Sequence, residues 1–213
     1  MIIGVFDSGV GGLSVANAIQ KALPNAKIIL REDKENLPYG TKTPEQLLKL
    51  VRPILESMVQ EGCEIIVVAC NTVTTTIIKQ LREVISVPLI GMEPMVKPAA
   101  ALTKTGKIAV FATPTTLASK RYAELKHMYA PNLEVIEPDC SDWTKMIENN
   151  HVDEQRIKAN VSMALNSGAD VIVLGCTHYH WIEDVIKALA GKRATVLQPE
   201  QPVITQLKKV LKV

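Results

Sequence analysis

Short apolar runs alternate with longer amphipathic stretches along the whole chain. The runs at 2–6, 64–69 and 171–174 are rich in β-branched residues and have no polar alternation. Such runs read as parallel strands buried on both faces. The stretches between them place apolar residues three and four apart, as a helix with one buried face does. The pattern predicts strands near 2–6, 26–31, 64–69, 87–91, 107–111, 133–137, 171–174 and 194–197. It predicts helices near 11–22, 44–61, 73–84, 95–104, 115–129, 154–167, 180–190 and 200–212. Strict β/α alternation argues for parallel sheets with right-handed crossovers. Thr43-Pro44-Glu45-Gln46 marks one helix start, with a cap residue, proline in the first turn and a capping-box glutamine.

The pattern is written twice. Glu64-Ile65-Ile66-Val67-Val68-Ala69-Cys70-Asn71-Thr72 returns as Asp170-Val171-Ile172-Val173-Leu174-Gly175-Cys176-Thr177-His178. Ile3-Gly4-Val5-Phe6-Asp7-Ser8 returns as Ile108-Ala109-Val110-Phe111-Ala112-Thr113. Eight units would also fit a (β/α)8 barrel. The duplication, which divides the chain near residue 100, favours an α/β fold of two similar parallel-sheet domains with a cleft between them. The expected division is 1–95 plus 196–213 for the first domain and 96–195 for the second. Ligands of open α/β sheets bind beyond the carboxyl ends of strands. That is where Cys70 and Cys176 stand.

Composition narrows the classes. Hydrophobic residues make up 47% and aromatic residues 4%, so the core is aliphatic. The 24 basic and 22 acidic residues leave a net charge of +2 with no basic block, which favours neither nucleic-acid nor membrane-surface binding. No apolar run is long enough to span a bilayer, and the start of the chain does not read as a signal peptide. A cytoplasmic protein is expected. Its four cysteines are then thiols rather than disulfides, and none has Cys-x-x-Cys spacing, so no structural metal is expected. Cys63 reads as core, and Cys140 has no assigned role.

The loop Asp7-Ser8-Gly9-Val10-Gly11-Gly12-Leu13-Ser14 follows a strand and opens a helix. Helix-start N–H groups attract anions. The loop lacks a Walker lysine, and Ser14 replaces the last glycine of the dinucleotide pattern, so a small carboxylate suits it better than a nucleotide. Asp7 could instead cap the next helix. Two thiols at matched strand ends suit racemisation. One group removes an α-proton from one face while the other delivers one to the opposite face, and the roles reverse for the other enantiomer. Each cysteine alone would read as a small buried hydrophobe. Likewise, His178 alone would read as a satisfied histidine and Glu148 as an exposed helix residue.

Four motifs in order carry a resemblance over nearly the whole chain: Asp7-Ser8-Gly9-Val10-Gly11-Gly12-Leu13, Pro38-Tyr39-Gly40-Thr41-Lys42, Val68-Ala69-Cys70-Asn71-Thr72 and Leu174-Gly175-Cys176-Thr177-His178-Tyr179. Together they resemble the glutamate racemases of the cofactor-independent aspartate/glutamate racemase superfamily. The resemblance implies two α/β domains with the active site between them, and no cofactor or metal. It implies that Cys70 takes the α-proton of D-glutamate, assisted by Asp7, and Cys176 that of L-glutamate, assisted by His178. Glu148 resembles a further acidic helper. Substrate contacts are expected from Asp7, Ser8, Tyr39, Gly40, Asn71, Thr72, Thr113, Thr116, Thr177 and His178. A homodimer and a role supplying D-glutamate for peptidoglycan are also implied. The same scaffold would suit an aspartate or other acidic-amino-acid racemase, or a non-catalytic amino-acid-binding relative. His180-Trp181 stands where the family carries proline, and the residues before Glu148 match the family poorly.

Overall fold

The computed structural model describes residues 1–212. Strands β1 (Ile2–Asp7), β2 (Lys27–Glu32), β3 (Ile65–Val68) and β4 (Leu89–Gly91) form one parallel sheet, ordered β2-β1-β3-β4. Strands β5 (Lys107–Ala112), β6 (Glu134–Ile136), β7 (Val171–Gly175) and β8 (Thr195–Leu197) form a second, ordered β6-β5-β7-β8. The orders match position for position, as the sequence duplication requires. Two separate sheets rule out a closed barrel.

Helices cover both faces of each sheet. The first half carries α1 (Gly11–Ala22), α2 (Pro44–Gln60) and α3 (Asn71–Val84). Then come α4 (Val96–Leu102), α5 (Pro114–Ala118), α6 (Lys120–Tyr129), α7 (Trp143–Glu148), α8 (Glu154–Asn166), α9 (Glu183–Ala190) and α10 (Glu200–Leu211). Successive strand side chains point to opposite faces. Accordingly Phe6, Ile66 and Val68 pack with Leu47, Leu55 and Ile77 of α2 and α3, while Val5, Ile65 and Val67 pack with Val15 and Ile19 of α1. In the second half, Phe111, Ile172 and Leu174 meet Ile157, Val161 and Ile186, and Val110, Val171 and Val173 meet Val96, Tyr122 and Leu125. Helix α10 follows β8 of the second sheet but buries Val203, Ile204 and Leu207 against the first. The chain therefore changes sheets between Leu197 and Glu200.

Several elements differ from the expected ones. The helix expected over 115–129 is two helices, because Ser119 is extended and its hydroxyl accepts from Tyr122 N to cap α6. The segment Thr177–Ile182 is a 3-10 helix, so the regular helix begins only at Glu183. Helix α7 was not expected as a separate element. It is a single short run held by Trp143, which packs edge-on to Phe111 and Tyr179 at 5.4 and 5.1 Å. The capping box at Thr43 and Gln46 is present.

Candidate active site

The duplicated strands β3 and β7 lie beside β1 and β5, at the centre of each sheet. Each runs out into a buried cysteine. Both thiols line one small cavity, with Ser8, Tyr39, Gly40, Asn71, Thr72, Thr113, Thr144, Thr177 and His178. The cavity measures about 10 Å³, room for about one water. A glutamate-sized molecule needs more room than that. A larger hollow, about 500 Å³ and lined by Arg82, Pro94, Arg121 and Pro202, contains no thiol.

Cys70 caps the start of α3, where helix N–H groups favour negative charge. Ser8 Oγ lies 3.5 Å from its sulfur. Burial and the neighbouring Asp7 charge nevertheless push the thiol up to about 12, only partly offset by bonds from Ser8 and the Val73 N–H. Asp7 is fully buried, which raises its own pKa against the opposing pull of His178. Its carboxylate accepts from Gly9 N at 3.2 Å, Gly12 N at 3.0 Å and Thr177 Oγ1 at 3.1 Å. Asp7 thus ties the turn into α1, although Val10 stands at the helix's N-cap, and it also reaches a residue beside the second thiol. It acts on Cys70 through charge from behind the cavity wall.

Cys176 has different neighbours. His178 Nδ1 lies 3.8 Å from its sulfur, and His178 Nε2 lies 2.6 Å from Glu148 Oε1. That arrangement puts a proton on Nε2, donated to the carboxylate. Burial pulls the His178 pKa down, but bonds to Cys176 and Glu148 and the charges of Cys176 and Asp7 win and push it up to about 10. For Glu148, burial acts upward, while bonds from His178 and from Val10 N at 2.9 Å prevail and lower it. These neighbours favour the protonated ring, held between a carboxylate and a sulfur.

The glycines of the first loop have a steric reason as well as an anion-binding one. A Cβ on Gly11 would sit 2.6 Å from Thr177 Oγ1, and one on Gly9 would sit 2.7 Å from His178 Nε2. Only a bare backbone lets the first loop approach the second cysteine's segment this closely. Further bonds join the halves. Thr72 Oγ1 meets Thr113 Oγ1 at 3.0 Å, and the Thr115 hydroxyl donates to the Gly40 carbonyl.

A family model described as Asp/Glu/Hydantoin racemase matches residues 3–205. The chain belongs to that family. It is 38% identical to the glutamate racemase of Herpetosiphon aurantiacus over 98% of this chain and 84% of that relative. It is 36% identical to that of Clostridium perfringens strain SM101, over 98% of this chain and 82% of that one. The structure of Escherichia coli glutamate racemase with L-glutamate and the activator UDP-MurNAc-Ala matches with TM-score 0.91 at 28% identity, covering 99% of this chain and 82% of that one. The Francisella tularensis enzyme with D-glutamate matches with TM-score 0.83 at 29% identity, over 99% and 80%. The chain is thus an amino-acid racemase, an isomerase by reaction class.

Within this racemase, eight of the residues expected at the site line the cavity together with both thiols: Ser8, Tyr39, Gly40, Asn71, Thr72, Thr113, Thr177 and His178. Asp7, Glu148 and Thr116 stand behind that wall. Thr116 Oγ1 receives the Thr113 hydroxyl at 3.0 Å. The Tyr39 hydroxyl donates to buried Asp33 at 2.6 Å, so Tyr39 presents its ring and backbone to the cavity. Asn71 Nδ2 donates to the Met92 carbonyl at 3.0 Å, leaving Oδ1 buried without a partner. Cys63 and Cys140 lie in the two cores, away from the cavity. Thr144 lines the cavity and carried no signal in the sequence beyond lying in the poorly matching segment before Glu148. Ser14 and His180 lie outside the cavity lining. Ser14 Oγ lies 3.1 Å from His180 Nδ1, and Glu200 Oε1 lies 3.4 Å from the same nitrogen. Among the described residues, no three His, Cys, Asp or Glu side chains are grouped to hold a metal ion.

Proposed function

We propose that the protein interconverts L- and D-glutamate by passing the α-proton between two thiols. The observation that carries this reading is the pair of buried sulfurs, one at the end of each duplicated strand, lining one cavity. As a thiolate, Cys70 takes the α-proton of D-glutamate, and the C–H electron pair stays on the α-carbon. The Cys176 thiol then gives its proton to the opposite face, leaving L-glutamate, a Cys70 thiol and a Cys176 thiolate. The reverse direction starts from that state. Asp7 serves Cys70, and His178 backed by Glu148 serves Cys176.

The difficult step is holding the carbanion, whose charge spreads onto the α-carboxylate. Oriented donors in a dry site stabilise such charge far more than water does. Here they are the backbone N–H groups at the start of α3. The unpartnered Asn71 Oδ1 is an acceptor for the substrate ammonium.

Glutamate is favoured because the relatives at 36–38% identity are glutamate racemases, and solved relatives hold L- and D-glutamate. The reading includes cytoplasmic residence, a homodimer and D-glutamate supply for peptidoglycan. Proton NMR in D2O tests the substrate. The α-proton signals of both glutamate enantiomers should vanish while those of L- and D-aspartate persist. Loss with aspartate alone would replace the substrate, and no exchange with any of the four would point to another substrate or to a binding protein.

A further inference from the structure

Cys70 has a hydroxyl neighbour in Ser8, at 3.5 Å. Cys176 has one too. Thr144 Oγ1 lies 4.0 Å from Cys176 Sγ, within hydrogen-bond reach of a sulfur, and its side chain lines the cavity. Thr144 comes from α7, whose Trp143 and Ile147 are anchored in the second core. Thr144 and Glu148 are four residues apart, so they project from one face of that helix. One reaches the Cys176 sulfur and the other reaches His178. A single rigid turn therefore holds the partners of both members of the pair.

The chemistry requires more than a cation beside Cys176. In racemisation the sulfur alternates between thiolate, which accepts hydrogen bonds, and thiol, which donates one. An imidazolium can only donate, whereas a hydroxyl does both by rotating. Ser8 meets that need for Cys70, and Thr144 is the residue placed to meet it for Cys176.

We propose that Thr144 is a further catalytic residue, its hydroxyl donating to the Cys176 thiolate and accepting from the Cys176 thiol as Ser8 does for Cys70. This rests on the two-thiol reading above. The hydroxyl serves both directions equally. The enantiomers have equal free energy in water, so any variant must show the same kcat/KM for L- and D-glutamate.

The test compares Thr144→Val, which keeps the shape and removes the hydroxyl, with Thr144→Ser, which keeps the hydroxyl and removes a methyl. Cys176→Ala is assayed beside them, and Thr144→Ala is a second hydroxyl-free variant should the valine protein fail to fold. A hydrogen bond to a charged group corresponds to a tenfold or larger effect. Thr144→Val should therefore lower kcat/KM by about tenfold and move one limb of its pH profile, while Thr144→Ser stays within about threefold of wild type with an unmoved profile. Wild-type rates and profile in a folded hydroxyl-free variant would overturn the assignment. So would a serine variant as impaired as the valine one, which would point to packing. Substantial turnover by Cys176→Ala would instead overturn the two-thiol reading itself.

Discussion

The surroundings of the two thiols differ more than the strands that carry them. β3 and β7 occupy the same place in sheets of the same order, and each ends in a buried cysteine. Around Cys70 the charged neighbour is a buried carboxylate, and burial with that charge lifts the thiol to about 12. Around Cys176 the neighbour is the His178 ring, 3.8 Å from the sulfur and fixed by Glu148 at 2.6 Å. Burial and a carboxylate thus favour the protonated form of Cys70, while Cys176 has the raised His178 ring beside it. The two positions are equivalent in the fold, and the helpers around them differ. Asp7 and Thr177 link the two sets, so the centres form one unit rather than two copies.

The sharpest way to break the comparison is to remove one sulfur. Cys70→Ala and Cys176→Ala should each lower racemisation by on the order of a thousandfold, since general acid–base groups contribute about 10²–10⁴. A coupled assay of D-glutamate formation reads the loss. If only one sulfur mattered, the centres would not be partners.

Next come the unlike helpers. Asp7→Asn and His178→Asn should each cost about a hundredfold in kcat/KM, but with different pH profiles. The asparagine at 178 removes the cation that titrates near 10, so the alkaline limb should change in that variant and not in Asp7→Asn. Identical profiles would erase the distinction between the two sides. Thr177→Val removes the bond that joins the sets and should cost about tenfold.

The same contrast has a signature in stability. The folded pKa of His178 is raised, so its contribution is fully present below the unfolded value near 6.5 and is lost as pH rises through about 10. The folded pKa of Glu148 is lowered, so its contribution is present above its ordinary value and is lost as pH falls. Denaturant unfolding of wild type and His178→Asn should show the largest gap near pH 6, closing towards pH 10. A gap that widened with pH would reverse the assigned charge. The smallest expected effect belongs to Ser14→Ala, which loosens the contact of α1 with His180 without touching the cavity. A change of about twofold in KM should suffice to describe it.

Much of this was legible in the sequence because both signals repeat. Buried parallel strands carry uninterrupted Val/Ile runs, and a second copy of each run turned two ordinary cysteines into a matched pair. Cys70, Cys176, Ser8, Asn71, Thr72, Thr177 and His178 all sit within a few residues of a strand end, so the α/β geometry alone sends them to one edge. What escaped lies elsewhere. Thr144 is on α7, a helix too short to show periodicity and placed by the packing of Trp143. The Tyr39 hydroxyl is spent on Asp33, six residues before it, a bond made by the fold of a loop. The closeness of Gly9 and Gly11 to the second half, like the clasp of Ser14 and Glu200 on His180, depends on how the halves meet. Pattern along one chain carries no direct record of that.

The most direct test of the two-thiol account is where deuterium enters during the first turnovers of L-glutamate in D2O. The account predicts D-glutamate labelled at Cα while unreacted L-glutamate stays unlabelled, because the proton leaves to one sulfur and the deuteron arrives from the other. D-glutamate that retains the original proton would mean that one base serves both faces, and would contradict it.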